Sequence, residues 1–156
     1  MINLKKSHIF KGTLYLGGDY LSDGTWMLRR ALIKNEALFR TPEQAAAQGI
    51  KASVLPEPAQ DMIDRLLSPQ SELEHEFYDR TNWHHMGDEL HTVLYRAESG
   101  KVAFLRWEVV QLLDQKSDTF YWPGSGPATP GEWEPGQPVD FLVVPVLFSD
   151  SVQLPV

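Results

Sequence analysis

The sequence predicts an α+β fold in a single domain, with a mostly antiparallel sheet built from hairpins and two or three short helices. A length of 156 residues suits one domain with its own core. Apolar runs of strand length are joined by tight turns and not by crossover helices, which indicates antiparallel pairing. Other stretches have the periodicity and capping residues of short helices. We therefore treat residues 1–156 as one domain, with an irregular loop at 123–138.

The first half of the chain predicts a hairpin followed by two helices. Asp23-Gly24 accepts the positive φ angles of a tight turn, so strand, turn and strand are predicted over residues 12–29. The stretch TPEQAAAQG at 41–49 has a capping threonine, a proline at the first helical position and a glycine at its end. It predicts a short helix. An apolar stripe predicts a second helix over residues 59–67.

The second half predicts more strands and a third helix. Residues 72–78 alternate between apolar and acidic side chains, which is typical of a strand with an acidic outer face. Two apolar runs joined by a glycine turn predict a hairpin over residues 91–107. A helix follows at 108–115, with its valines and leucines buried. A strand is predicted at 140–148, where an internal proline favours a sheet edge or a bulge, and a short last strand at 151–156.

Composition and charge limit the classes of function. The hydrophobic and charged fractions, 42% and 22%, are those of an average globular protein, and cysteine is absent. Disulfides and thiolate nucleophiles are therefore excluded. No apolar run approaches the length that spans a bilayer, and the N-terminus lacks a signal-peptide pattern. The net charge of −7 argues against direct nucleic-acid binding. We expect a soluble, acidic, cytoplasmic protein without membrane contact.

An aromatic loop is the first candidate site. The segment 123–138 has five prolines and four glycines in 16 residues, a composition that predicts irregular structure. Trp133 lies within it, and Tyr121 and Trp122 precede it. Aromatic side chains in loops favour partner binding, because they offer a large contact area at a low entropic cost. The alternative is that the rings fix the loop to the sheet.

Arginines beside the two hairpins are the second candidate site. Arg29, Arg30 and Arg106 lie near Trp26, Trp107 and other aromatic residues in an otherwise acidic chain. A guanidinium binds phosphate or carboxylate in a bidentate manner and stacks on aromatic faces. These residues predict a pocket for an anionic, nucleotide-like ligand. The alternative is that the arginines end strands and pair with nearby carboxylates.

A histidine-rich segment is the third candidate site. The stretch TNWHHMGDELH at 81–91 contains three of the five histidines. If it were helical, His84, Asp88 and His91 would share one face and form a metal triad with positions open to water, with His75 or His85 as a further ligand.

Two features of the same segment favour a turn and a strand instead. Gly87 would cost about 1 kcal/mol in the middle of a helix. His91 leads directly into an apolar run that predicts a strand. In a strand, His84 and His85 would point to opposite sides of the sheet. A metal site and a polar turn therefore remain alternatives.

The leading hypothesis is a binding protein, because the sequence shows aromatic residues that could contact a partner but no complete set of catalytic residues. It would self-associate or grip a protein partner, or an anionic small molecule, through the aromatic loop and the arginines. No cofactor is expected, apart from a divalent metal if the histidines bind one. One alternative is a metal-dependent hydrolase. A second is an acidic decoy of a nucleic-acid-binding protein, suggested by the net charge and by Glu72, Glu74 and Glu76.

Overall fold

The structure is a computed structural model that describes residues 1–9, 12–56, 76–87, 90–122, 128–131 and 140–146. Within these ranges the fold is α+β, with two sheets that are rich in antiparallel pairs, two α-helices and short 3-10 turns. The predicted fold class is confirmed. The predicted helix at 59–67 and last strand at 151–156 lie outside the described residues.

The elements follow one another along the chain in two groups of strands. They are β1 (Thr13–Leu16), β2 (Tyr20–Ser22), β3 (Trp26–Arg29), α1 (Pro42–Ala47), β4 (Lys51–Val54), β5 (Glu76–Gly87), β6 (Leu90–Ala97), β7 (Val102–Arg106), α2 (Trp107–Leu113), β8 (Thr119–Trp122), β9 (Thr129–Pro130) and β10 (Phe141–Val143). Short 3-10 turns cover Lys6–His8, Arg30–Leu32 and Glu36–Phe39.

The first sheet has the order β10-β3-β2-β1-β4. The predicted hairpin is confirmed, since β2 and β3 are antiparallel neighbours around a turn in which Gly24 has a φ of 93°. The β1–β4 pair is parallel and departs from the antiparallel pattern. Helix α1 makes this pairing possible, because it lies in the connection that returns the chain to the same end of the sheet. Its predicted capping box is present at Thr41 and Gln44.

The second sheet has the order β7-β6-β5-β8-β9, and all its pairs are antiparallel. The predicted hairpin of β6 and β7 is confirmed. Strand β5 is the longest, and a β-bulge interrupts its register with β6 between Arg80 and His84. Its pairing with β8 covers only Glu76 to Asp79. The far end of β5 therefore extends beyond β8.

A late segment of the chain connects the two sheets. Strand β10 pairs with β3 in the first sheet, while Val143 also exchanges backbone hydrogen bonds of 2.7 and 2.9 Å with Ala128, beside β9. Three residues later, the Val146 N–H donates to the Phe104 carbonyl of β7 at 2.7 Å. Both edges of the second sheet thus meet residues 140–146. Strand β10 ends before Pro145, whose position has no N–H to continue a ladder.

One hydrophobic core contains residues of both sheets and of α2. Helix α2 buries the four side chains that the sequence predicts, Val109, Val110, Leu112 and Leu113. The Pro/Gly-rich segment is not wholly irregular, because Thr129–Pro130 form β9 against β8. The composition hides this strand, since it is held by its pairing with β8 and by the adjacent Ala128–Val143 bridge and not by its own residue types. Neither helix of the described ranges is long and apolar enough to cross a membrane.

Candidate functional site

The end of the β5–β6 hairpin protrudes from the second sheet. We call residues 81–87 and 90–91 the hairpin tip. Strand β6 begins to pair with β7 only at Thr92, and β8 reaches no further along β5 than Asp79 in the register. In the part of the chain that the structure describes, the hairpin tip is therefore a two-stranded ribbon.

Strand register divides the side chains of the hairpin tip between two faces. His84 lies opposite Val93 and Met86 lies opposite His91, so His84, Met86 and His91 share one face. His85 lies opposite Thr92, on the other face. The segment is a strand and not a helix, and the expectation that His84 and His85 point to opposite sides is confirmed.

Three rings form a cluster on the first face, and we call it the tip cluster: His84, His91 and Trp107. The Nδ1 atom of His84 lies 2.7 Å from Nε2 of His91. The His91 ring stacks on Trp107 with centroids 4.7 Å apart and an interplanar angle of 17°, and His84 lies 5.6 Å from the same indole. Trp107 reaches the histidines because it is the first residue of α2, directly after β7.

The tip cluster is accessible to solvent. His84 is exposed, His91 and Trp107 are half-buried, and Met86 beside them exposes 71% of its surface. The Arg80 guanidinium lies 5.9 Å from the Trp107 ring centroid and forms an ion pair with Asp114. Aromatic, thioether and cationic groups thus meet on one surface of an acidic protein.

The His84–His91 contact is a hydrogen bond between two imidazoles, in which one ring donates an N–H to the other ring's nitrogen. Partial burial, and then the neighbouring His84, lower the pKa of His91, while the nearby Glu108 carboxylate opposes this shift. The shift favours the neutral form of the His91 ring. A neutral ring keeps a lone pair that a proton or a metal can take.

The opposite face of the hairpin tip is more enclosed. Trp83 lies 6.1 Å from His85 and 5.9 Å from Phe104 between ring centroids. Thr92 is fully buried there, and its hydroxyl has no hydrogen-bond partner within the described ranges. Arg106, a predicted ligand contact, is half-buried on this face, because it lies opposite Thr92 in the register.

The other predicted arginines have acceptors within the protein. Arg29 forms ion pairs with Asp19 and Asp140. Arg30 donates to the carbonyl of Gly17 at 3.0 and 3.2 Å, to the Phe39 carbonyl at 3.0 Å and to Glu36 at 3.1 Å. These contacts resemble the alternative given by the sequence, in which the arginines pair with acceptors of the protein itself and not with a ligand.

The predicted aromatic residues lie apart from the tip cluster. Trp26 is 1% exposed, and its indole N–H donates to the His8 carbonyl at 2.8 Å. Trp122 is 7% exposed at the end of β8, where it packs on Tyr78. Tyr121 is half-buried, with its ring 4.5 Å from Phe77. Trp133, Asp88 and His75 lie outside the described residues.

Two of the three predicted metal ligands meet in the structure. His84 and His91 are in contact, whereas nothing is described for Asp88. Among the described residues, no group of three or more His, Asp or Glu side chains could hold a metal ion. The predicted triad therefore stays a prediction.

Sequence reasoning missed the grouping of Trp107 with the histidines. It placed Trp107 beside the arginines, because Arg106 is its neighbour in the chain. A signal was present in the hairpin pattern: a pairing that sets 86 opposite 91 brings 84 diagonally next to 91. The position of the Trp107 ring depends on how α2 packs against the sheet, and no local sequence pattern predicts that packing.

Comparisons of the chain with family models, with curated proteins and with solved structures find no significant match. The function is therefore inferred from the geometry of the hairpin tip.

Proposed function

We propose that the chain is a binding protein that self-associates through the hairpin tip, in a symmetric contact between two copies. One observation carries this proposal. The outer edge of β5 pairs with no strand of the described ranges from residue 81 onwards, and residues 81–87 contain no Asp, Glu, Lys or Arg.

An open strand edge favours pairing with another strand. Its outward N–H and C=O groups can continue the sheet, and natural proteins usually protect such edges with charges, prolines or bulges. Here the bulge protects only the first part, where the Thr81 hydroxyl accepts the Trp83 N–H at 3.2 Å. Residues 84–87 remain regular. We infer that the pairing contact lies along this stretch, at the exposed Met86.

A second copy of the chain fits this edge for a geometric reason. Two copies of one strand run antiparallel around a two-fold axis, so an edge is complementary to itself in that arrangement. Charge supports the same partner. A net charge of −7 makes two copies repel over most contacts, whereas residues 81–87 carry no formal charge.

Exposed side chains beside the edge would gain from the contact. Met86 exposes 71% of its surface, and the rings of the tip cluster are partly accessible. Their burial against a second copy removes apolar area from water. The contact is small, so we expect micromolar association, as in transient interfaces, and not a permanent dimer.

Sedimentation velocity of the full chain from about 1 to 500 µM tests the proposal, over a range that spans micromolar association. We expect a concentration-dependent shift from monomer to dimer. Met86→Lys should weaken association about tenfold or more, because it places one cation from each copy at the shared edge. Phe77→Lys is the matched control, since Phe77 is also exposed on β5 but lies opposite Tyr121 of β8 in the register.

Either of two results would contradict the proposal. The wild-type chain would remain monomeric over the whole range, or Phe77→Lys would weaken association as much as Met86→Lys. The second result would move the contact away from the hairpin tip.

The other hypotheses stay predictions. The described contacts of Arg29, Arg30 and Trp122 give them roles within the protein, so they support ligand or partner contact less than the tip cluster does. The metal-dependent hydrolase requires Asp88, and the acidic decoy requires Glu72 and Glu74, all outside the described residues. An anionic ligand and a cytoplasmic location also stay predictions.

A further inference from the structure

The two histidines of the tip cluster present nitrogens to each other across the hairpin. His84 belongs to β5 and His91 to β6, and the facing atoms, Nδ1 and Nε2, are 2.7 Å apart. Their rings are tilted by 39° with centroids 5.0 Å apart. The two facing nitrogens, one with an N–H and the other with a lone pair, therefore converge on one point.

We propose that His84 and His91 bind one divalent transition-metal ion between their rings, with water in the remaining coordination positions. This inference does not rest on self-association, because one chain supplies both ligands. On binding, the ring that donates the hydrogen bond moves its proton to its other nitrogen by exchange with solvent. Each neutral ring then gives one nitrogen lone pair to the metal, and no proton is released overall.

The geometry requires only a small movement. Imidazole nitrogens lie 2.0–2.1 Å from zinc, so two of them on one tetrahedral ion are about 3.3 Å apart. The rings must separate by roughly half an ångström from their hydrogen-bonded distance. His84 is exposed and can move by this amount, while its strand keeps the backbone in place.

Neighbouring groups hold one ligand and favour a cation. The stack on Trp107, the first residue of α2, fixes the plane of the His91 ring. Glu108 follows in the same turn of the helix, and its carboxylate is close enough to affect the His91 ring electrostatically. Supporting contacts of this kind orient a metal-binding imidazole and increase its affinity.

The donor set predicts which metals bind. Two neutral imidazoles suit Cu²⁺, Ni²⁺ and Zn²⁺, with Cu²⁺ the tightest, whereas Mg²⁺ and Ca²⁺ require oxygen ligands. A site with two protein ligands is weaker than a structural zinc site with four.

Isothermal titration of the untagged full chain with NiCl₂ and with ZnCl₂, at a protein concentration where it is monomeric, tests the inference. We expect saturable binding of one ion per chain. His84→Ala and His91→Ala should each weaken it at least about tenfold, since each removes one of two ligands. His85→Ala is the matched control, because His85 lies on the opposite face of the same hairpin. The His85→Ala variant should bind the ion with the same affinity as the wild type.

Tryptophan fluorescence gives a second readout. Bound Cu²⁺ should quench Trp107, which stacks on His91. Trp107→Phe should lose this quenching and retain the heat of binding. Absence of saturable binding, binding that survives both His84→Ala and His91→Ala, or equal loss in His85→Ala would each overturn the inference. Failure of self-association would leave all these measurements unchanged.

Discussion

Two groups of aromatic rings on the second sheet differ in what surrounds them. Tyr78, Tyr95, Phe120 and Trp122 form a core ring group, in which Tyr78 stacks on Phe120 at 5.3 Å and every member is at most 7% exposed. The tip cluster of His84, His91 and Trp107 is at least partly accessible. The core ring group lies where β5 and β6 have neighbours on both sides. The tip cluster lies where the same two strands extend past those neighbours.

The difference shows how strand length can create a site. On the core face, a strand pair of equal length to its neighbours would bury its rings throughout, as at Tyr78 and Tyr95, whereas Phe77 on the other face is exposed. The extra residues of the β5–β6 hairpin leave the same kinds of side chain at the surface. We expect the core ring group to determine stability and the tip cluster to determine binding.

The largest expected effect is on the free energy of unfolding of Trp122→Ala. Removal of this buried indole should cost about 3–5 kcal/mol, because it leaves a cavity beside Tyr78 and Phe120. Trp107→Ala is the comparison variant and should cost only about 1 kcal/mol, since its ring is half-buried. Urea unfolding followed by circular dichroism measures both. Similar losses in the two variants would remove the distinction between the two groups.

A smaller effect of opposite sign is expected for Tyr95→Phe. The Tyr95 hydroxyl is buried and has no hydrogen-bond partner among the described residues, and burial raises the pKa of the phenol far above its usual value. Removal of an unsatisfied buried hydroxyl should stabilise the protein by about 1 kcal/mol. Tyr15→Phe, at a 37% exposed position, should change nothing. A clear loss of stability in Tyr95→Phe would indicate that the hydroxyl has a bonding role.

The smallest effect is a pH dependence that a buried imidazole should cause. His8 is 4% exposed, and its Nδ1 accepts the Lys5 backbone N–H at 3.0 Å. Burial, and then the Lys5 charge, lower the pKa of His8 from 6.5. The unfolded chain therefore binds this proton at a higher pH than the folded chain does. Stability should fall as pH drops below 6.5, and above 6.5 this group has no effect.

Thermal melts between pH 7.5 and 5 measure this dependence, on both sides of the unfolded histidine's pKa. His8→Gln keeps an acceptor for the Lys5 N–H and should flatten the decline. The decline that remains in His8→Gln is expected from His91, whose pKa the fold also lowers. If His91→Ala flattened the decline and His8→Gln did not, acid sensitivity would belong to the hairpin tip and not to the core.

The sequence predicted those parts of the fold that depend on neighbouring residues. The capping box of α1 links residues three apart, and the β6–β7 hairpin forms around one glycine turn. The buried side of α2 follows from helical spacing. Each of these signals lies within a few positions along the chain.

Features that depend on distant pairing were not predictable in this way. Trp122 precedes a Pro/Gly-rich segment, which favours exposure, yet β5 and β9 flank its strand and the ring is buried. The parallel β1–β4 pair has no local signal either. The sequence analysis did identify His84 and His91 as neighbours, but on the assumption that both lie on one helix. In the structure they lie on two paired strands, where they are diagonal neighbours.

The connection at residues 140–146 has a consequence for how the protein is made. Val143 pairs with Trp26 on one side and with Ala128 on the other, so β3 obtains this neighbour only after all the residues between β3 and β10 have left the ribosome. During synthesis, β3 and β7 therefore lack the partners that residues 140–146 later provide at one edge of each strand. Closure over so long a loop is slow, because its entropy is lost before the new contacts form. The growing chain is therefore most vulnerable to aggregation just before these residues emerge, and a chaperone that covers strand edges would matter most at that moment.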